Sequence, residues 1–141
     1  MTEEPSRTSA LASRHSALGS GLEDWNGMGT AWTYNTDPND EHDAVRERAG
    51  MFDMSPLKKV FVRGPDAQAV LDHLTTRDLS KVTPGKAAYL CVLNDQGGIA
   101  DDAIVSNNGG DEWMIVHGSG DTMALLEASA EGHDVQVLSL I

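Results

Sequence analysis

The sequence predicts an α+β fold, in which an antiparallel sheet carries helices on one face and the elements follow the order β-α-β-β-β-α-β. Two apolar runs on either side of an Asn-Asp-Gln-Gly-Gly turn are typical of a β-hairpin. One segment with apolar residues at helical spacing, and a second helical segment after the hairpin, supply the helices. With 141 residues, the chain has room for one domain with a modest core.

The N-terminal third shows little regular patterning. Residues 1–20 are rich in Ser, Ala and Thr and lack aromatic side chains, which predicts a mobile arm. Residues 21–36 hold three aromatic residues, Trp25, Trp32 and Tyr34. Aromatic residues at this density indicate packing onto a neighbouring core, with stacking on a ligand as the alternative. A cluster of turn and capping residues then begins a predicted helix over 39–49, and Gly50 follows it as the C′ residue.

The predicted sheet occupies the rest of the chain. Its elements are a strand over 59–63, a helix beginning at Gly64-Pro65-Asp66, strands over 87–93, 99–105 and 113–116, a helix over 119–131 and a last strand over 134–141. In the first of these helices, Ala67, Val70, Leu71 and Leu74 recur at intervals that place them on one face. Glycines in the two hairpin turns permit the positive φ angles that tight turns require.

Charge and apolar patterning exclude several classes of protein. Ten Lys and Arg against 22 Asp and Glu give a net charge of −12, which argues against binding to nucleic acid or to an anionic membrane surface. The sequence lacks an apolar stretch of about 18 residues and begins with acids where a signal peptide has cations. The single cysteine, Cys91, fits a reducing compartment, so we expect a cytoplasmic protein.

The charges are also unevenly distributed. Residues 87–141 contain nine acids and neither Lys nor Arg. This imbalance indicates compensating charge on a partner surface or on further chain, or else a solvated acidic face.

Few side chains have the spacing of a reactive site. The five histidines lack the spacing of metal ligands, so no metal is expected. Cys91 lies within an apolar strand, where a buried and inert thiol is expected. His117 lies at the end of a predicted strand, where it lines a pocket or sits at the surface.

Asp101 and Asp102 interrupt an apolar strand, Ile-Ala-Asp-Asp-Ala-Ile-Val. Neighbouring residues of a strand point to opposite faces, so one carboxylate reaches solvent and the other points toward a packed face or a pocket. A desolvated carboxylate requires hydrogen-bond donors. Either the adjoining Gly97-Gly98 turn supplies backbone N–H groups, or the acid has a functional role.

Several motifs occur in one order along the chain. The first consists of Val45, Arg46, Ala49, Gly50, Phe52, Asp53 and Ser55. It is followed by Gly-Pro-Asp-Ala at 64–67, Thr-Arg-Asp at 76–78, Pro-Gly-x-x-x-Tyr at 84–89 and Leu-Asn-x-x-Gly-Gly-x-x-Asp-Asp at 93–102. This series resembles the N-terminal part of the glycine-cleavage T-protein family, the folate-dependent aminomethyltransferases and demethylases.

The resemblance implies tetrahydrofolate as the cofactor and a small one-carbon donor as the substrate. Asp102 is then the catalytic residue, which orients amine and folate and stabilises an incipient cationic carbon, so we expect it to face a ligand cavity. Tyr89, Leu57 and Ile104 are implied to contact the folate. Asp101 and His117 complete the set of candidate residues at that site.

The sequence departs from the family pattern at several positions. Pro56-Leu57-Lys58 stands where T-proteins have His-Met-Gly, which favours a donor other than the glycine-derived aminomethyl group. Family members are also much longer, so the resemblance implies that residues 21–141 form part of a folate-binding domain, with the rest of the enzyme or a partner subunit completing it. The alternatives are a non-catalytic folate-binding or assembly module, or an inactive fragment.

Overall fold

The chain divides into two units, one ending at Pro56 and one beginning at Leu57. The structure is a computed structural model that describes residues 5–118 and 120–140. Within these residues, no helix has the length and apolar character needed to cross a membrane.

The C-terminal unit contains the predicted sheet. Its elements are β4 Lys58–Arg63, α3 Ala67–Leu74, a 3-10 helix Leu79–Lys81, β5 Ala87–Leu93, β6 Ile99–Gly109, β7 Glu112–His117, α4 Thr122–Ala130 and β8 Gln136–Ser139. The five strands pair in the antiparallel order β5-β6-β7-β4-β8. The antiparallel sheet confirms the predicted α+β class. The helices and strands also follow one another along the chain in the predicted order β-α-β-β-β-α-β.

One face of this sheet is covered by helices and forms the core. In β4 and β7, Val60, Val62, Trp113 and Ile115 alternate with more exposed residues, and cross-strand pairing places all four on the same face. The buried face of α3, with Val70 and Leu71, and Leu126 of α4 complete the cluster. The opposite face of the sheet keeps partly exposed side chains and carries the candidate site.

Helix boundaries in this unit differ from the predictions because long-range contacts set them. Helix α3 begins at Ala67 rather than at Pro65, and the carboxylate of Asp66 accepts a hydrogen bond from the backbone N–H of Asp134 at 2.8 Å. Helix α4 begins at Thr122, and Asp101 accepts hydrogen bonds from Gly120 and Thr122 at this end of the helix. The predicted start of this helix, residue 119, lies outside the described residues. Strand β6 runs to Gly109, four residues past its predicted end.

The N-terminal unit contains β1 Arg7–Thr8, α1 Ala12–Ala17, β2 Leu22–Trp25, β3 Met28–Ala31 and α2 Pro38–Glu47. A three-stranded sheet has the order β1-β3-β2, in which β1 pairs with β3 in parallel. Strand β1 and helix α1 lie within residues 1–20, where the sequence predicted only a mobile arm. Two of the clustered aromatic residues pack on each other, with the rings of Trp25 and Trp32 5.5 Å apart.

Helix α2 ends at Glu47, two residues before the predicted end at residue 49, so Gly50 is not the residue that follows the helix. The backbone N–H of Arg48 closes the last turn on Ala44, and Arg48 itself leaves the helical region. Gly50 serves a different purpose, because a Cβ there would lie 2.3 Å from a methyl carbon of Val45. The glycine therefore permits close approach of the chain to α2.

Candidate functional site

The β5–β6 hairpin places the two aspartates on opposite faces of the sheet. Asp101 is the cross-strand neighbour of Val92, which is fully buried on the face covered by helices. Asp102 is paired with Cys91 on the opposite face. The sequence prediction that one carboxylate points inward and one outward is confirmed, with Asp101 as the inward acid.

Asp102 of β6 and Tyr89 of the edge strand β5 meet on the outer face. The phenol of Tyr89 donates a hydrogen bond to Oδ2 of Asp102 at 2.7 Å. Ile104 is the direct cross-strand neighbour of Tyr89, and the two side chains are 45 % and 62 % exposed. The hydrogen bond to the Asp102 carboxylate and its negative charge raise the pKa of Tyr89, because both disfavour loss of the phenolic proton.

Leu57 lies apart from this cluster. It immediately precedes β4, which is separated from β6 by β7 in the sheet. The side chain is half-buried, and its carbonyl oxygen accepts a hydrogen bond from Nζ of Lys59 at 2.6 Å. Of the three residues implied to contact folate, the structure brings Tyr89 and Ile104 next to Asp102 and leaves Leu57 two strands away.

Two cavities lie beside the sheet of the C-terminal unit. A cavity of about 400 Å³ is lined by Arg77, Asp78, Lys81, Val82, Ala87, Ala88 and Tyr89, and a second of about 220 Å³ lies beside Pro65 and Trp113. Asp102 lines neither of them and is exposed on the sheet face. Tyr89 is shared between the first cavity and the Asp102 cluster, so the two features adjoin each other.

Asp101 and His117 form a separate cluster on the inner face. Oδ2 of Asp101 accepts hydrogen bonds from Nδ1 of His117 at 3.0 Å, Oγ1 of Thr122 at 2.9 Å and the backbone N–H of Gly120 at 3.1 Å. Its other oxygen, Oδ1, accepts the backbone N–H of Asp102 at 2.9 Å. The Asp101 side chain is 6 % exposed, and His117 and Thr122 are buried. This buried carboxylate therefore has the donors that its desolvation requires.

The loop before α4 fits this carboxylate only because of its glycines. A Cβ at Gly120 would lie 2.4 Å from the carbonyl oxygen of Ala100 and 2.8 Å from Cβ of Asp101. A Cβ at Gly118 would lie 3.1 Å from Oδ1 of Asp101. The absence of side chains at these positions allows the loop to close over the carboxylate.

The pKa shifts in this cluster have clear physical causes. Burial acts to raise the pKa of Asp101, but hydrogen bonds from Thr122, His117 and the Asp102 backbone outweigh it and hold the pKa below its usual value. Burial lowers the pKa of His117, and the nearby charge of Lys58 adds to this, against the opposing effect of Asp101. At neutral pH, Asp101 is therefore ionised and His117 is neutral.

The hydrogen bond to Asp101 also fixes the tautomer of His117. A carboxylate accepts, so Nδ1 carries the proton and Nε2 has a free lone pair. Nε2 is buried and has no hydrogen-bond partner among the described residues. His117 is thus an inner-face residue that contacts Asp101, not a wall of the surface that carries Asp102.

The N-terminal unit has its own polar cluster, centred on Asp53. Oδ2 of Asp53 accepts Oγ of Ser9 at 2.5 Å and Nε2 of His15 at 2.9 Å, and Nδ1 of His15 lies 2.7 Å from the hydroxyl of Tyr34. Burial acts to raise the pKa of Asp53, but hydrogen bonds from Ser55, Ser9 and His15 outweigh it and hold the pKa well below its usual range. Ser9 donates to the carboxylate and not to His15, so this arrangement does not activate a nucleophile.

Sequence reasoning missed Thr122 and Gly120 as parts of the Asp101 cluster. Both are about 20 residues from Asp101, and neither belongs to a motif with a recognised spacing. The available signal was the Gly-Ser-Gly segment after His117, because glycines before a helix often mark a close backbone approach. A hydroxyl residue at the start of that helix was the second signal.

Comparison with known proteins identifies the family of the chain. The sequence profile of a family described as the GCVT N-terminal domain matches residues 11–140. The chain is 54 % identical over 132 residues to the heme-dependent oxidative N-demethylase gamma subunit of Ectopseudomonas mendocina, covering 94 % of the chain and 35 % of that protein. It is 40 % identical over 139 residues to the aminomethyltransferase of Bordetella bronchiseptica, covering 94 % and 38 %.

A solved structure shows the same fold. The crystal structure of glycine cleavage system aminomethyltransferase T from Bartonella henselae superposes with a TM-score of 0.82 and 31 % sequence identity. The match covers 94 % of the chain and 38 % of that protein. The chain thus spans little more than a third of the length of the relatives it matches.

Proposed function

The chain belongs to the GCVT N-terminal domain family, and on that premise we propose that it is part of a tetrahydrofolate-dependent one-carbon transferase. The complete protein would transfer a one-carbon group from a small methylated amine or aminomethyl donor to tetrahydrofolate. Because the chain spans only part of its relatives, the remaining walls of the folate site come from outside it.

The observation that carries this proposal is the hydrogen bond between Tyr89 and Asp102 on an exposed sheet face. A pterin is a flat, partly apolar ring with several N–H donors. The aromatic ring of Tyr89 and the side chain of Ile104 offer an apolar surface, and the carboxylate of Asp102 offers an acceptor beside it. The residues present therefore fit such a ring.

Each side chain has a defined part in the proposed reaction. Bound tetrahydrofolate supplies the nucleophilic nitrogen that takes the one-carbon unit. Asp102 would accept a proton from the reacting amine and stabilise positive charge that develops at the transferred carbon. Tyr89 is protonated at neutral pH, and its raised pKa extends this protonation to higher pH, so its hydroxyl keeps donating to Asp102 and fixes the direction of the carboxylate.

We propose that an N-methylated amine is the donor rather than the aminomethyl group of glycine cleavage. Identity is higher to the N-demethylase gamma subunit, at 54 %, than to the aminomethyltransferase of Bordetella bronchiseptica, at 40 %. The departures at Pro56-Leu57-Lys58 point the same way. In this proposal, a haem-dependent partner would remove two electrons and a proton from the N-methyl group and pass the electrons to an acceptor such as O₂, which leaves an electrophilic carbon on the donor nitrogen. A tetrahydrofolate nitrogen would then bond to that carbon as the bond from the carbon to the donor nitrogen breaks. The demethylated amine would leave with the proton that the folate nitrogen gives up.

Folate binding to the outer face can be measured in the complete protein, with alkylation of Cys91 followed by mass spectrometry of its peptide. Cys91, expected from the sequence to be buried, is instead half-buried on the outer face, where it is the cross-strand neighbour of Asp102. Tetrahydrofolate should slow alkylation of Cys91 by iodoacetamide several-fold, because the ligand would cover that face. An alkylation rate that is unchanged at saturating tetrahydrofolate, together with no heat of binding in calorimetry, would refute folate binding by this face.

Turnover is tested in the complete protein with its partner subunits. Asp102→Asn keeps the shape of the side chain and removes its charge, so we expect turnover to fall about 10²–10⁴-fold. Asp95→Asn, at the exposed tip of the same hairpin, removes the same charge and should leave turnover unchanged. Near-normal turnover of Asp102→Asn would exclude the catalytic role. Folate binding without turnover in the unmodified protein would indicate a binding or assembly module instead.

A further inference from the structure

The inner aspartate is built into the structure more firmly than packing alone requires. An ionised carboxylate is costly to bury, and an apolar side chain would be the simpler choice on this face. Asp101 instead has a side chain that is 6 % exposed and accepts from four donors, which lie in β6, at the end of β7, in the loop before α4 and at the start of α4. These hydrogen bonds hold the Asp101 carboxylate in one position.

The carboxylate of Asp101 also contacts the backbone of Asp102. Oδ1 of Asp101 accepts the N–H of Asp102, while Oδ2 is anchored to His117, Thr122 and Gly120. Side chains of consecutive strand residues point to opposite faces, so the orientation of residue 101 determines where residue 102 points. On the outer face, that direction brings Oδ2 of Asp102 to 2.7 Å from the hydroxyl of Tyr89.

We propose that Asp101 is a positioning residue, which holds Asp102 in the orientation that binds Tyr89 and, in the proposed function on which this inference rests, the reacting amine. Asp101 acts from the opposite side of the sheet and does not touch the substrate. His117 and Thr122 are its supports, because each donates to the same oxygen, Oδ2. Loss of any support loosens the direction of Asp102.

The first test needs neither folate nor turnover. The chain has two tyrosines, whose ring carbon signals in ¹³C-tyrosine NMR can be assigned with Tyr89→Phe and followed through a pH titration. The hydrogen bond to Asp102 raises the pKa of Tyr89 above its usual value of 10.0. Asp101→Asn should move this pKa back toward 10.0 while the fold is retained. Asp95→Asn should leave it unchanged.

A matched pair at Thr122 covers the case in which Asp101→Asn fails to fold. Thr122→Val removes the hydroxyl that donates to Asp101 and preserves the shape, whereas Thr122→Ser keeps the hydroxyl. We expect the pKa of Tyr89 to fall in the valine variant and to stay at the wild-type value in the serine variant. An unchanged pKa of Tyr89 in folded Asp101→Asn, or in Thr122→Val, would overturn the proposal.

The second test asks whether Asp101 acts through Asp102. In the complete protein, Asp101→Asn should lower kcat about 10-fold or more and change KM for folate little. In a background that already carries Asp102→Asn, the same substitution should have no further effect, since residues that act as a unit are not additive. Additive losses would show that Asp101 has an independent role. If Asp102→Asn keeps full turnover, the proposed function fails, and the NMR result still decides the positioning of Asp102.

Discussion

Replacement of Gly120 by alanine is a sharp test of how the loop before α4 packs on Asp101. The new Cβ would lie 2.4 Å from the carbonyl oxygen of Ala100, and 2.8 and 2.9 Å from Cβ and Cγ of Asp101. Carbon atoms pack best at about 3.5–4.0 Å, so the loop has to move by roughly 1 Å. The closest of these contacts is a backbone atom that cannot rotate away, and the movement lengthens the 3.1 Å hydrogen bond from Gly120 to Asp101.

The size of the effect follows from two contributions. Overpacking of this kind costs about 1–3 kcal/mol. A lost hydrogen bond to a charged acceptor costs about 1.5–3 kcal/mol. Because one displacement relieves the clash and breaks the bond, the two do not add fully, and we expect the free energy of unfolding to fall by about 2–4 kcal/mol. Domains of this size have about 5–15 kcal/mol in total, so the loss is large.

Urea unfolding followed by tryptophan fluorescence measures this loss. Trp113 is buried in the core of the C-terminal unit, and substitution of Trp25 and Trp32 by Phe in both parent and variant makes it the sole probe. Gly21→Ala is the control, since an added Cβ there has no heavy atom within 4 Å. A loss below about 0.5 kcal/mol in Gly120→Ala, no larger than ordinary surface substitutions give, would refute the close packing of this loop.

Two further outcomes follow from the inner face of the sheet. The pKa of His117 lies below 6.5 in the folded chain, so the unfolded chain binds the proton first as pH falls. The free energy of unfolding should therefore decrease as the pH falls below about 6.5, with a slope of up to about 1.4 kcal/mol per pH unit. Urea titrations at several pH values measure this slope, and His117→Asn should abolish the part that His117 contributes. Leu71 is fully buried on α3, so Leu71→Ala should lower the free energy of unfolding by about 2–5 kcal/mol. Met51 is 78 % exposed, so the control Met51→Ala should lower it by about 0.5 kcal/mol or less. Equal losses for Leu71→Ala and Met51→Ala would contradict the position of the core.

The part of the fold that local chemistry determines could be predicted from the sequence. The Asn94–Gly98 turn and its flanking apolar runs define the β5–β6 hairpin, and strand β5 spans the predicted residues 87–93. Helix α3 has its predicted apolar face buried, because tertiary packing and helical spacing agree there. The family was indicated by motifs in order, and the family profile confirms it over residues 11–140.

The N-terminal unit could not be predicted in the same way. Strand β1 has two residues and pairs in parallel with β3, which lies 20 residues away, so it has no local pattern. Helix α1 has six residues, too few for a hydrophobic period, and the side chain it buries is His15. Its place is set by the polar contacts of His15 with Asp53 and Tyr34, which only the folded chain brings together.

The faces on which the two aspartates lie could be predicted from the sequence, but the hydrogen-bond donors to Asp101 could not. Strand alternation required one aspartate on each face, and the structure shows this arrangement. The sequence suggested the nearby Gly97-Gly98 turn as a source of donors for the inner acid. The donors outside the doublet come instead from His117, Gly120 and Thr122, which tertiary structure brings to Asp101 from 16 or more residues away.

The pairing of β5 with β6 limits where insertions and deletions can occur in this hairpin among homologues. A strand that shifts by one residue exchanges the faces of all its side chains. Loss of one residue between the hairpin tip and the two aspartates would turn Asp101 outward and bury Asp102. The buried Asp102 would then face hydrogen-bond donors whose positions suit Asp101. Gains and losses within the tip at 94–98 are absorbed by the loop. Natural homologues should therefore differ in length at the tip and retain the interval from Gly98 to Asp102.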